Sequence, residues 1–423
     1  MALGWRQTAR HAGVATLCAI CLVAPALAAS DHSPGDGSDT DNERLLPDVY
    51  PADPVLDSGE WLREPYDPFF DVDWSVALRG TYSKSTSGER FDIRLVPTIG
   101  LEHIGVRSAI NFDASAEIVR PSDGGEIDVG ALRLGLQTGY DLDSATRLTA
   151  NGDFSLTQPT PGTPGLASNI AIASQTMTGG ADIGLARQFG RFNIAVTGAA
   201  QRNVFGPTTR TDGTVTDNSD QNYWALDAGL RVGFAATPIL EVFGQADIGR
   251  DILDQPATNA SDVTLKGGVT GRWNDIVVAT ASAGVGLRRF DATGLADVVT
   301  QLYDASVSFT PDPTWRMTAG FATTIAPPGP NGAGTARVDY SANGEIAYTV
   351  NSWLALRALA DWHTARFVGT ADTETGYGLG AGADYKVNAH TALSADYGYD
   401  HSEGTSNGLQ EAHRVTVGLT VSR

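Results

Sequence analysis

The chain has 423 residues, 42% of them hydrophobic, and carries 49 acidic against 29 basic side chains for a formal net charge of −20. That balance excludes nucleic acid as a partner, because a polyphosphate backbone is held through surplus Lys and Arg. The only cysteines, Cys18 and Cys21, fall in the first 29 residues, which excludes a disulfide scaffold, a Cys–zinc site and a Cys nucleophile from everything that follows.

Residues 1–29 read as a secretory signal peptide. Arg6 and Arg10 supply a positive start, residues 12–24 an apolar segment, and Ala26-Leu27-Ala28 a small-x-small cleavage site. Residues 30–71 are acidic and Pro-rich with no sustained period, which predicts a disordered periplasmic segment. From Val72 to Arg423 the chain alternates. Trp74, Val76, Leu78 and Tyr82 alternate with Ser75, Ala77, Arg79 and Thr81, and Ile110, Phe112 and Ala114 with Asn111, Asp113 and Ser115. Residues 223–248, "YWALDAGLRVGFAATPILEVFGQADI", are two such stretches about a short break and predict a β-hairpin. About 18 strands follow from the pattern, with 16 or 17 as alternatives. The stretch near 300–310 is the weakest, because Leu295, Val299 and Leu302 also fit a helix face. Every second connection reads as tight and the others as longer, a strict asymmetry of turns at one end and loops at the other.

Three features place the apolar face in lipid rather than in a protein core. The stretches run about 10–14 residues, against a mode of about 5–6 in globular sheets, and a tilted strand needs about 9–11 to cross a bilayer. Trp74, Trp224, Trp273, Trp315, Trp353 and Trp362 read as lying near strand ends, as in the aromatic girdles of membrane barrels. The opposite parity carries Gly, Ser, Thr, Asp and Arg, the composition of a wet lumen. After the signal no apolar run is long enough for a membrane helix. The fold class is therefore all-β, a transmembrane antiparallel up-and-down β-barrel over residues 72–423. Glycines such as Gly378, Gly380 and Gly382 share the lumen parity and are assigned to barrel curvature or close aromatic packing.

The run 221–273, with its aromatic-led strand, "GLRVGF", a Thr-Pro turn, "VF" with Asp and Arg, and then "SD…G…G", resembles the putative β-barrel porin type 2 family. The resemblance implies an outer-membrane location and a porin-like channel. Some members of the family accompany exopolysaccharide secretion, so it also implies polymer export and periplasmic polysaccharide-export components as partners. Outer-membrane lipid, lipopolysaccharide and the barrel-assembly machinery are the general partners of such a barrel. Outer-membrane barrels often end on an aromatic residue read during assembly, whereas this chain ends on Arg423.

The lumen parity contains about 14 acids and about 10 bases, and rings of fixed charge set ion preference. The candidate lumen-lining residues are Arg79, Arg94, Asp113, Glu117, Arg133, Asp227, Arg231, Glu241, Asp247, Lys266, Arg272, Arg288, Glu345, Arg357, Asp361 and Asp384. The acid excess predicts weak cation preference. Asp361 with His363, and Asp400 with His401, are the acid–His pairs that a hydrolase would use as a general base, but spacing places no Ser or second acid beside them. No cofactor and no metal cluster is predicted. The expectation is a passive channel for hydrophilic solutes and not an enzyme. The alternative is a structural or ligand-binding surface barrel.

Overall fold

A computed structural model describes residues 70–423, apart from 87, 123–126, 162, 164–165, 168, 256–257, 275, 330–333 and 406–407. The expected signal peptide and all but the last two residues of the acidic 30–71 segment lie outside the described residues.

The chain forms β1 (Asp71–Ser85), β2 (Gly88–Ile104), β3 (Ser108–Pro121), β4 (Asp128–Asp143), β5 (Thr146–Thr157), β6 (Ile170–Ile172), β7 (Thr176–Phe189), β8 (Phe192–Phe205), β9 (Thr208–Arg210) and β10 (Val215–Thr216). It continues with β11 (Tyr223–Ala235), β12 (Leu240–Leu253), β13 (Ala260–Trp273), β14 (Val277–Phe290), β15 (Val298–Phe309), β16 (Trp315–Ala326) and β17 (Ala336–Thr349). The last four strands are β18 (Leu354–Val368), β19 (Thr373–Asn388), β20 (Thr391–Gly404) and β21 (Gly408–Ser422). Each long strand pairs antiparallel with the next, and β1 pairs with β21, so an 18-stranded sheet closes into an up-and-down barrel. At the closure Trp74 and Arg423 exchange backbone hydrogen bonds of 3.2 and 3.0 Å. The short strands β6, β9 and β10 form a separate three-stranded sheet in the connections.

The register fixes the size of the cylinder. Carried once around the barrel, it returns to β1 displaced by about 22 residues. With about 3.3 Å rise per residue and strands about 4.8 Å apart, this shear tilts the strands by about 40° and gives a backbone radius of roughly 18 Å. Because residues alternate across a strand, one parity must face outward. That face carries large exposed apolar side chains such as Leu78, Leu136, Ile183, Leu230, Ile248, Leu265 and Val417. In water such a surface would be an aggregation site. In a bilayer it is the solvated face, and the closed ladder leaves the backbone little left to satisfy.

Two details differ from the sequence expectation. The long outer connections, 158–175 and 206–222, lie over β5–β11, whereas 86–87, 369–372 and 405–407 are as short as the turns at the other end. Since 122–127, 254–259, 291–297 and 327–335 are also longer than any turn at the other end, the asymmetry holds for six of the nine outer connections and is not strict. The wall is also discontinuous at one junction. β15 and β16 pair only between Asp304–Phe309 and Met317–Ala322, although β15 begins at Val298 and β16 runs on to Ala326. Beyond that point β16 leaves the wall. The tip of Ile325 reaches the inner face of β14, only 3.0 Å from where a Cβ on Gly286 would stand. Ala336 and Val338 of β17, on the parity that faces outward lower down, are buried as well. Ala336 joins Ala260, Phe290 and Val298 in an apolar cluster flanked by Leu295, Ile325 and Val368.

Candidate functional site: the barrel lumen

The inward parity of the strands positions every charged residue singled out above, because cross-strand partners share a face. Arg79 pairs with Arg94 across β1–β2, Ser115 with Arg133 across β3–β4, and Asp227 with Gly249 across β11–β12. Most of the bases are neutralised locally. Arg94 donates to Glu117 at 2.6 Å and lies 3.7 Å from Asp92, which also accepts from Arg90. Arg231 meets Glu241 at 2.8 Å and stacks 4.0 Å from the Phe243 ring centre, while Arg272 reaches the other oxygen of Glu241 at 4.0 Å. Lys266 donates to Asp304 at 2.7 Å. Arg357 is held between Asp384 and Asp396. Arg288 is the most enclosed, its side chain 1% exposed between Asp251 at 2.6 Å and Asp262 at 2.8 Å. A buried guanidinium of this kind persists because two carboxylates compensate its desolvation.

The acids are not all so matched. Among the described residues, Asp113, Asp182, Asp227, Asp247, Glu345 and Asp361 have no cationic side chain within ion-pair distance. Asp182 and Asp227 both stand beside Ala199 in the ladder. Neutral donors serve two of these acids: Asn151 donates to Asp182 at 2.7 Å, and Gln245 and Thr264 donate to Asp247 at 2.8 and 3.0 Å. Sequence reasoning missed Asp182, although it lies on the same parity as its neighbours.

The lumen glycines have a different role from the one expected. A Cβ added at Gly135 would meet Asp113 at 2.5 Å, at Gly229 would meet Asp247 at 2.6 Å, and at Gly249 would meet Asp227 at 2.8 Å. In each case the glycine is the acid's direct cross-strand partner. Gly378 stands in the same relation to Asp361, and Gly382 makes room for Asp396 and Arg357. The carboxylates thus lie against the wall over bare backbone instead of projecting into the lumen. Gly378 and Gly382 were assigned to curvature or aromatic packing, and the acids beside them are the physical reason for the small residue.

Of the two acid–His pairs, one separates and one does not. Asp400 faces inward and is 3.3 Å from Arg414, whereas His401 is on the other face of β20, stacked on Tyr377 at 4.7 Å. Asp361 and His363 do share the lumen face, and the fold adds Ser341 directly across from His363. No hydrogen bond joins Ser341 and His363 among the described contacts. Among the described residues no group of His, Cys, Asp and Glu could hold a metal ion.

The tryptophans occupy two levels on the outer face. Trp74, Trp273, Trp315 and Trp353 lie at the end with short turns, where Trp315 stacks on Tyr348 at 4.3 Å and Trp353 packs edge-on to Tyr385 at 5.3 Å. Trp224 lies at the opposite end of β11. Trp362 departs from the expectation, since it sits in the middle of β18 and not near its end. Its partner in the ladder is Tyr377, which adjoins a mixed band of Tyr397, Tyr399, His401 and His413. At the outer mouth, Gln410 of β21 donates to the carbonyl of Leu166, so the 158–175 connection reaches back to a strand on the far side of β1–β4.

The family profile described as Putative beta-barrel porin 2 matches residues 86–423. No curated protein matches the sequence. Among solved structures, OpdK of Pseudomonas aeruginosa with vanillate aligns at 11% identity over 84% of this chain and 99% of that chain, with a TM-score of 0.42. OpdF of the same organism, in complex with glucuronate, aligns at 10% identity over 83% and 98%, with a TM-score of 0.42. A mutant of the Pseudomonas aeruginosa ferric enterobactin receptor aligns at 7% identity over 84% and 80%, with a TM-score of 0.43.

Proposed function

Because the chain belongs to the Putative beta-barrel porin 2 family and closes as a porin-like outer-membrane barrel, we propose that it is a passive channel for small hydrophilic solutes, with a preference for cations. The observation that carries this reading is the run of lumen carboxylates Asp182, Asp227 and Asp247, on β7, β11 and β12, which lack cationic partners among the described residues. Fixed charge of one sign on a water-filled wall lowers the barrier for the opposite ion. Arg94, Arg231, Lys266, Arg288 and Arg357 add little net field, because each has a carboxylate within hydrogen-bond distance.

A small solute fits this lumen better than an exported polysaccharide. The inward tops of β16 and β17, and the Leu166 backbone that accepts from Gln410, take up cross-section near the outer mouth, and a polymer needs an uninterrupted bore. Nothing in the mechanism requires bond chemistry. The Ser341–His363 neighbours would have to share a hydrogen bond to act as nucleophile and base.

Planar-bilayer recordings in a salt gradient test the proposal. The expected result is stable conductance with a reversal potential on the cation side, and a permeability ratio that falls about twofold or more when Asp182, Asp227 and Asp247 are all replaced by Asn. Anion selectivity would overturn the charge argument. Silence of a folded, heat-modifiable sample would favour a structural barrel instead.

A further inference from the structure

The junction of β15 and β16 has the properties of a seam that can occupy two positions. From Val298 to Tyr303 the edge of β15 has no ladder partner on β16. That edge lies in the half of the barrel toward the outer mouth. An unpaired strand edge facing lipid is costly, because hydrocarbon cannot hydrogen-bond the backbone. The register that pairs Asp304 with Ala322 could continue without a shift. It would set Tyr303 opposite Thr323, Leu302 opposite Thr324, Gln301 opposite Ile325 and Thr300 opposite Ala326.

The sequence is suited to that continuation. In the wall, Ile325 would share the outward face with Gln301. Its β17 partner Val338, and Tyr340 opposite Thr323, would extend the outward apolar row of Ala342 and Ile346. In the inward position these residues are enclosed instead, and the fit is imperfect. The hydroxyls of Thr323 and Thr324 are buried with no hydrogen-bond partner, a cost that lumen water would remove for Thr324, which in the continued register shares the inward parity with Leu302. The inward position has its own support. Phe290, Val298 and Leu302 are apolar on the lumen parity, and Ile325 and Ala336 cover that patch.

We infer that the seam is a gate, in which the tops of β16 and β17 either tuck over the apolar patch and narrow the outer mouth, or zip onto the free edge of β15 and widen it. Each position satisfies what the other leaves exposed: the inward one covers the apolar patch, and the zipped one completes the ladder. A packed interface with two arrangements of this kind switches rather than deforms. The inference rests on the channel reading for its consequence but not for its structural test.

Engineered disulfides give that test, because the described chain contains no cysteine. The Tyr303→Cys/Thr323→Cys pair should cross-link under mild oxidation in outer-membrane vesicles, and Gly286→Cys/Ile325→Cys should trap the tucked position. If the barrel conducts, the first cross-link should raise single-channel conductance about twofold relative to the second. A folded, heat-modifiable barrel in which only the second pair cross-links would overturn the gate. The Ile325→Cys single variant provides a check that needs no new bond. Labelling by a membrane-dissolved maleimide supports the zipped state, and labelling only by a water-soluble one overturns it. Since cross-linking and labelling are read without conduction, failure of the gate and failure of the channel proposal are distinguishable.

Discussion

The arc of wall from β3 to β12 and the arc from β13 to β18 are built on the same alternation but use their inner face differently. In the first, acids lie over glycines, each strand is laddered to its neighbour along most of its length, and the lumen side carries charge. In the second, Phe290, Val298 and Leu302 interrupt the polar parity, and the neighbouring strands leave the wall to cover them. A barrel strand with water inside needs only one apolar face. Once its inner face is apolar too, something must be packed against it, and here the cover comes from the barrel's own β16 and β17.

The contrast can be sharpened by substitution, and the largest effect is expected at Arg288. Replacing it by Met leaves Asp251 and Asp262 without their shared cation in a nearly closed site, and should cost about 3–5 kcal/mol in denaturant unfolding from lipid vesicles. Asp227→Asn in the other arc removes no ion pair among the described residues and should leave stability almost unchanged. Next in size is Leu302, which is 2% exposed. Leu302→Ala should cost about 2–4 kcal/mol because a cavity remains, whereas Leu226→Ala on the lipid face should cost less, since lipid chains fill the space. If the two leucines cost the same, the patch is not a packed core and the contrast fails.

Smaller effects probe the open arc and the turns. Gly249→Val should push the Asp227 carboxylate off the wall and lower conductance by about twofold, with ion preference kept in sign. Unchanged conductance would show that the space over Gly249 does not set the bore. The smallest change concerns Asp312, in the turn before β16. Hydrogen bonds from the Thr314 hydroxyl and backbone N–H, and from the Trp315 N–H, hold its carboxyl below the usual aspartate range. A depressed value stabilises the folded form at neutral pH, and that contribution is lost as the pH falls through the folded value. The difference in melting temperature between the chain and Asp312→Asn should therefore shrink below about pH 4.

The architecture was legible because lipid enforces it. Leu226, Leu230 and Leu240 alternate with Asp227, Arg231 and Glu241 as a two-faced strand requires, and eighteen strands closed as the spacing implied. The seam left a trace as well. The stretch near 300–310 looked half helical because Leu295, Val299 and Leu302 fit a helix face. In the strand Val299 faces outward while Val298 and Leu302 face the lumen, so both faces are apolar, which is what a strand packed on two sides requires. What the spacing could not show was the cover, since nothing local to β16 says that Ile325 will cross to β14. The same limit applies to His363, whose neighbour Ser341 is set by pairing, and to Trp362, whose depth depends on how far β18 rises above its neighbours. Glycine was misread for a simpler reason. Its meaning lies in the side chain opposite, and register is needed to see which one that is.

The pairing of each flattened acid with a bare glycine has a consequence for how such a pore can be modified. The acid supplies the valence of the passage and the glycine supplies its clearance, and the two sit on different strands. A single substitution at Gly135, Gly229 or Gly249 would narrow the passage while keeping its sign. A single substitution of Asp113, Asp247 or Asp227 by Asn would lower the fixed negative charge while keeping the width. Bore and selectivity are thereby two separate controls, each within reach of one codon, on a frame whose outer surface need not change at all.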